Sequence, residues 1–247
     1  MEIMSLSPQE WLNFFCGVLI IGTIVFLFNI KNVVKNITYR KTDYFRITHI
    51  SYSKIRTDKG KLGEYNLYKH LEPLQGYKRF IFNCYLPKED NTTTEVDIIL
   101  LHESGIYVFE SKNYSGWIFG RDIDRWWTSS LPDNKGDSYK FRFFNPIIQN
   151  KIHLKCLKSY LDECIDIPFY SYVVFGDYCE LKDISLFHSD SYVLNCSAVL
   201  GVMYDNMDNS QHLSQEQIDM FFDKLYPLSQ VGEIVKDAHI HIVKNKQ

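Results

Sequence analysis

The stretch Glu95–Lys112, EVDIILLHESGIYVFESK, decides how this chain folds. Two apolar runs rich in β-branched residues, Glu95–Leu101 and Ile106–Lys112, flank His102-Glu103-Ser104-Gly105, which is the pattern of a β-hairpin. A four-residue loop closes on Leu101 opposite Ile106, and counting outward sets Ile99 against Val108 and Asp97 against Glu110. Two carboxylates then face each other with Cβ atoms about 4.5–5.5 Å apart. Like charges so placed repel unless a cation or a proton lies between them. Lys112 lies two residues past Glu110 and therefore on the same face. The hairpin is thus predicted to carry two acids and an ammonium, and such oxygen donors suit Mg²⁺ or Mn²⁺. An edge-strand ion pair of Glu110 with Lys112 is the plainer alternative.

On the N-terminal side, Thr57 or Asp58 is placed to cap a helix running to about Leu71, with Pro73 and Gly76 beyond it as stop signals. On that helix Glu64 falls in line with Leu67, Tyr68 and Leu71, the stripe that should face the sheet. A charge on a buried stripe is costly unless paired, and Gly60 and Gly63 leave room for the helix to approach the hairpin. A strand over Arg79–Tyr85 and a turn cluster at Pro87–Thr94 complete this side.

On the C-terminal side, Gly116–Trp127 suggests one or two strands, and 128–144 reads as a polar loop. Asn145-Pro146 is a helix start, cap then first turn, for a helix to about Leu161. Gln149 and His153, four apart, share one face of it. Tyr170–Phe175 and Asp190–Leu194 read as strands, and Ser214-x-x-Gln217 opens a helix to about Leu225 as a capping box. His239 and His241 alternate as one face of a strand. The sum is a mixed α/β domain.

The chain has 247 residues, 45% hydrophobic and 23% charged, the balance of an ordinary folded protein, and 15% aromatic residues favour a strand-rich core. A formal net charge of -3 excludes bulk electrostatic coating of nucleic acid, so an anionic partner must be held at a local site. The charge is uneven: residues 31–61 hold nine basic side chains against Asp43 and Asp58.

Between Glu10 and Lys31 lie twenty uncharged residues, WLNFFCGVLIIGTIVFLFNI. As a helix they span about 30 Å, the hydrocarbon thickness of a bilayer. An acidic start and the lack of a small-residue cleavage site separate the segment from a signal peptide. Lys31, Lys35, Arg40 and Lys41 follow the span, and no Lys or Arg precedes it. The expectation is a short extracytoplasmic N-terminus (1–10), a transmembrane helix (11–30), a basic juxtamembrane tether (31–56) with Ile47–Ile55 extended, and a cytoplasmic domain (57–247) at an inner or plasma membrane. The six cysteines (Cys16, Cys84, Cys156, Cys164, Cys179, Cys196) form no C-x-x-C pair and fit reduced thiols in such a compartment, with neither a zinc site nor a disulfide framework.

The order Gly63-Glu64, Glu95-Val-Asp97, Val108-Phe-Glu110-Ser-Lys112-Asn-Tyr-Ser-Gly116, Trp126 or Trp127, and Asn145-Pro-x-x-Gln149-x-x-x-His153 resembles the nuclease-related domain within the PD-(D/E)xK nuclease superfamily. The resemblance covers about residues 57–175. It implies a restriction-endonuclease-like mixed sheet flanked by helices, here preceded by one transmembrane helix. It further implies that Asp97 and Glu110 bind metal, with the Ser111 carbonyl and Glu64 as further ligands, and that Lys112 acts on the attacking water and the phosphate. Gln149 and His153 match the family's helix pair and are assigned to substrate positioning. The reaction implied is Mg²⁺- or Mn²⁺-assisted phosphodiester hydrolysis of nucleic acid, taken as DNA, by an endonuclease or nickase, with defence against invading DNA as its setting and a homo-oligomer left open.

ATP hydrolysis, serine-hydrolase and zincin chemistry lack their signatures: there is no G-x-x-x-x-G-K-[ST] loop, G-x-S-x-G elbow or H-E-x-x-H helix. Two other readings stand beside the nuclease. One is an inactive nucleic-acid- or protein-binding module on the same fold, and the other is a membrane signalling or scaffold protein whose acids are structural.

Overall fold

The computed structural model describes residues 7–132, 138–162, 167–187, 190–207, 210 and 212–245. The chain divides into two units, Met1–Arg46 and Ile47–Gln247. Cys164 and residues 1–6 of the expected outer segment lie outside the described residues.

The first unit is dominated by α1 (Pro8–Arg40), longer than the twenty apolar residues that predicted it. Ser7 caps it in a capping box with Glu10, and Pro8 takes the first turn, where its missing N–H costs nothing. The helix is long and apolar enough to cross a membrane. Large side chains stand exposed around it, among them Leu19, Ile21 and Phe26.

The segment expected as a tether is largely helical. After α1 come α2 (Asp43–Thr48) and α3 (Tyr52–Thr57), so no extended stretch occupies Ile47–Ile55. Ser51 caps α3 by accepting from the Lys54 N–H, and Ile55 is fully buried. In α4 (Lys59–Leu71) Asp58 is the cap, and Gly63, Glu64, Leu67, Tyr68 and Leu71 form the buried stripe.

The centre of the second unit is a mixed sheet of β1 (Lys78–Pro87), β2 (Thr93–His102), β3 (Gly105–Lys112), β7 (Phe169–Phe175) and β9 (Ser191–Asn195), in the order β1-β2-β3-β7-β9. The β2–β3 register pairs Leu101 with Ile106 and Ile99 with Val108, as expected. The ladder runs one pair further, to His102 and Gly105, so the turn is the two residues Glu103-Ser104. Gly105 sits at φ +141°, a conformation side chains resist, and a Cβ there would lie 2.7 Å from the Pro168 carbonyl oxygen. β3 pairs parallel with β7 as far as Lys112 and Phe175.

A second sheet is built from β4 (Gly116–Arg121), β5 (Trp126–Pro132) and β6 (Ser138–Phe144), which lie between β3 and β7 in the chain, and β8 (Cys179–Ser185), which follows β7, in the order β6-β5-β4-β8. Of the polar loop expected over 128–144, residues 128–132 are the end of β5 and 138–144 are β6, while 133–137 lie outside the described residues. Tyr139, Phe141 and Phe143 recur with the period of a strand, and Phe143 packs into a core with Ile118, Trp127, Val173 and Phe175. β8 was not anticipated.

α5 (Pro146–Leu161) follows β6 and packs on the central sheet. The Asn145 Oδ1 accepts from the Ile147 N–H at 2.9 Å, while its amide donates to the carbonyls of Arg121, Asp122 and Asp124. One side chain thus caps α5 and fixes where it starts. α6 (Val199–Asn206) was also unanticipated, whereas α7 (Gln215–Ser229) begins with the expected Ser214–Gln217 capping box. The predicted strand at His239–His241 is instead α8 (Glu233–Asn245). Residues two apart on a helix point different ways: the His239 ring meets Tyr85 edge-on, and His241 is exposed. The described cysteines Cys16, Cys84, Cys156, Cys179 and Cys196 are free thiols.

Candidate functional site

The central sheet opens around Asp97. The β1–β2 ladder passes from Phe82 and Ile98 to Cys84 and Val96 without pairing Asn83 to Asp97, and the β2–β3 ladder ends at Ile98 and Phe109. Asn83, in this gap, has φ +52°, uncommon for a residue with a side chain. Across the other opening the Ser111 N–H donates to Asp97 Oδ2 at 2.8 Å. The register that pairs Ile98 with Phe109 carries Asp97 toward Glu110, while β3 stays paired with β7 behind them.

Glu110 is almost fully buried, and its Oε1 accepts from Lys112 Nζ at 2.5 Å. Lys112 also donates to Gln149 Oε1 at 3.2 Å. The second oxygen of Glu110 is buried and has no hydrogen-bond partner, and the same holds for His153 Nδ1, 3.5 Å away. Burial and the Lys112 charge hold the His153 imidazole down at about 3, so it is neutral and the contact is not an ion pair. The α5 pair, Gln149 and His153, thus touches Lys112 and Glu110 directly.

Glu64 reaches the same region from α4. Its two oxygens accept from Lys61 Nζ and from the Asn83 amide, each at 2.8 Å. Lys61 donates to Asn83 Oδ1 at 2.8 Å as well and lies 3.9 Å from Glu95. The close approach of α4 rests on Gly63, where a Cβ would stand 2.7 Å from the Asn113 Cβ; Gly60 faces its own cap, Asp58, instead. Lys61 and Asn83 were passed over in the sequence. The available signals were a lysine three residues before Glu64 and a polar residue interrupting an apolar strand.

Electrostatics strain the cluster. Burial, then the neighbouring Glu110 charge, pushes the Asp97 carboxyl up to about 8. Burial pushes Glu64 up to about 7 against the pull of Lys61. Glu110 is also raised by burial, although Lys112 opposes the shift, and Lys112 is held firmly protonated by Glu110 and Asp97. Carboxylates that resist ionising together are stabilised by a cation. The buried Glu110 oxygen without a partner, beside the Asp97 carboxylate held by the Ser111 N–H, offers hard oxygen donors of the kind a divalent ion takes.

Residues 59–176 match the family model of the nuclease-related domain. Over that stretch the chain is similar to the nuclease-related domain. The match begins at the first residue of α4 and ends just after β7, so it takes in every member of the acid cluster. The nuclease-related domain is consistent with the PD-(D/E)xK superfamily, and it implies a nuclease-like enzyme that uses a divalent metal. An uncharacterized protein of Bacillus anthracis is 25% identical over 189 residues, which cover 76% of this chain and 85% of that relative. No solved structure matches the chain significantly.

Another group brings His70, Asp177 and Cys196 together, with one ligand atom of each within 4.8 Å of the others. Three of their atoms have partners: His70 Nδ1 lies 2.9 Å from the Asn66 carbonyl and 3.3 Å from Cys196 Sγ, and Asp177 Oδ1 accepts from Ser197 N and Oγ.

Proposed function

We propose that the chain is a membrane-anchored, metal-dependent nuclease that hydrolyses phosphodiester bonds of DNA. The observation that carries this reading is the buried Glu110 carboxylate, one oxygen held by Lys112 and the other without a partner, beside Asp97 where the sheet opens. Asp97 and Glu110 would hold the ion, with the Ser111 carbonyl and Glu64 as further candidate donors. A bound Mg²⁺ or Mn²⁺ supplies Lewis-acid polarisation of the phosphate and lowers the pKa of a water.

Lys112, oriented by Glu110 and Gln149, steadies negative charge on the phosphate oxygens as the bond breaks. Glu64 is kept close by Lys61 and Asn83, so it stands ready to meet the ion directly or through a water. His153, neutral and buried, and Gln149 fix the substrate's approach from α5.

The apolar part of α1 spans the membrane, with the N-terminus outside and the domain in the cytoplasm, because the basic residues follow the span. A nuclease tethered there meets DNA as it enters the cell, so we assign it to defence against invading DNA.

Supercoiled plasmid incubated with the full-length chain in detergent should be nicked or linearised with Mg²⁺ or Mn²⁺ and left intact with EDTA. Plasmid left uncut with either metal, or cut equally with EDTA, overturns the reading.

A further inference from the structure

Trp126 and Trp127 are adjacent, and the alternation of β5 sends them opposite ways. Trp127 is core: it is fully buried, stacks on Phe175 at 6.2 Å and donates its indole N–H to the Arg121 carbonyl. Trp126 is half-buried and opens onto a cleft of about 280 Å³ that Gln149 and His153 also line. Those two side chains touch Lys112 and Glu110, at 3.2 Å and 3.5 Å, so one layer of side chains separates the cleft from the candidate catalytic groups.

The chemistry around Trp126 is specific. The guanidinium carbons of Arg125 and Arg142, both exposed, lie 5.7 Å and 6.0 Å from its ring centre. Phe144 meets it edge-on at 5.9 Å, and Lys88 lines the same cleft. A partly open aromatic face bracketed by cations matches a base by stacking and its flanking phosphates by charge.

We propose that this cleft is a nucleobase subsite, taking one unpaired base beside the scissile phosphate, so that the site acts on single-stranded or frayed nucleic acid in preference to continuous duplex. The proposal rests on the nuclease reading and names its substrate class. Glu110 is 1% exposed and the Lys112 side chain 18%, so the phosphate must enter a recess. A strand free of its partner can follow the phosphate in and lay a base on Trp126. A duplex must first unstack and unpair that base, at a cost of a few kcal/mol.

The test uses the full-length chain in detergent with EDTA present, so that binding is read without cleavage. A short oligothymidylate should quench tryptophan emission, and a stable hairpin duplex should bind far more weakly. Trp126→Ala should weaken oligothymidylate binding about 5- to 150-fold and remove the quenching. Trp126→Phe, which keeps an aromatic face, should retain most of the affinity and shows that the loss is not misfolding. With Mg²⁺, Trp126→Ala should raise KM for a single-stranded substrate more than it lowers kcat. Unchanged binding by Trp126→Ala, or equal affinity for strand and hairpin, overturns the subsite. Cleavage of duplex plasmid that is indifferent to Trp126 sinks the subsite while the nuclease stands. Specific binding and quenching with no cleavage in Mg²⁺ or Mn²⁺ supports the subsite while the nuclease reading fails.

Discussion

The Ser111 N–H donates to the Asp97 carboxylate two residues beyond the last β2–β3 backbone pair, so a side chain takes up a strand amide. Asp97 is thereby fixed to β3, the strand that carries Glu110 and Lys112. The three groups are tied to one strand, and their separate roles can be read from single substitutions.

Lys112→Met should lower cleavage by about a hundred- to a thousandfold, the cost of losing one donor that acts on transition-state charge. It should leave Mn²⁺ binding, followed by electron paramagnetic resonance, largely intact. Asp97→Ala should lose both cleavage and Mn²⁺ binding. Equal Mn²⁺ affinity in wild type and Asp97→Ala would remove Asp97 from the metal site.

Lys61→Met leaves Glu64 buried without its cation, and removing one partner of a buried pair costs about 3 kcal/mol. Adding Glu64→Gln should restore part of that loss, because the amide still accepts from Asn83. Urea denaturation of both variants measures the difference. A double variant no more stable than Lys61→Met would mean that the two side chains are not coupled.

Stability should also depend on His102. Its ring is buried, lies 2.7 Å from both the Gln75 carbonyl and Ser104 Oγ, and accepts from the Ser104 N–H. Burial lowers its pKa below the ordinary value of 6.5, with Lys78 adding to the shift and Glu103 opposing it. The unfolded chain therefore binds a proton first as pH falls. This contribution to stability is present in full above about 6.5 and is lost progressively below it. Denaturation midpoints between pH 7 and 5 should fall more for wild type than for His102→Gln, and parallel slopes would contradict the assignment.

Orientation is testable in intact cells. Protease added outside should leave the unit Ile47–Gln247 undigested. Neutralising Lys31, Lys35, Arg40 and Lys41 while adding lysines before Glu10 should weaken or invert that protection. Digestion of the wild-type domain from outside would place it on the other side of the membrane.

What the sequence disclosed followed from local signals. The hairpin register, the Asp58 and Asn145 caps and the Ser214–Gln217 capping box each depend on residues a few positions apart, and each element starts within a residue or two of its signal. β6 was obscured because Lys140 and Arg142 alternate with Tyr139, Phe141 and Phe143, so polarity masked the period. His239-Ile240-His241 alternates like a strand, yet it lies in a helix whose other residues set the period. At the site, the acids, Lys112, Gln149 and His153 were legible as types at spacings. The roles of Lys61 and Asn83 were not, because they depend on a break in the β1–β2 ladder that spacing along one strand does not reveal.

The parallel pairing of β3 with β7 also bears on how the domain assembles. Everything from β4 to α5 lies between those two strands in sequence, so their pairing closes a long loop and pays its entropy before any contact rewards it. Glu110 and Lys112 belong to a local hairpin, whereas Gln149 and His153 meet them only once α5 has docked on the sheet. During synthesis the acids and the ammonium are therefore joined before the helix that completes their surroundings, and the nascent domain passes through a stage in which the charges are in place and the recess around them is still open to water.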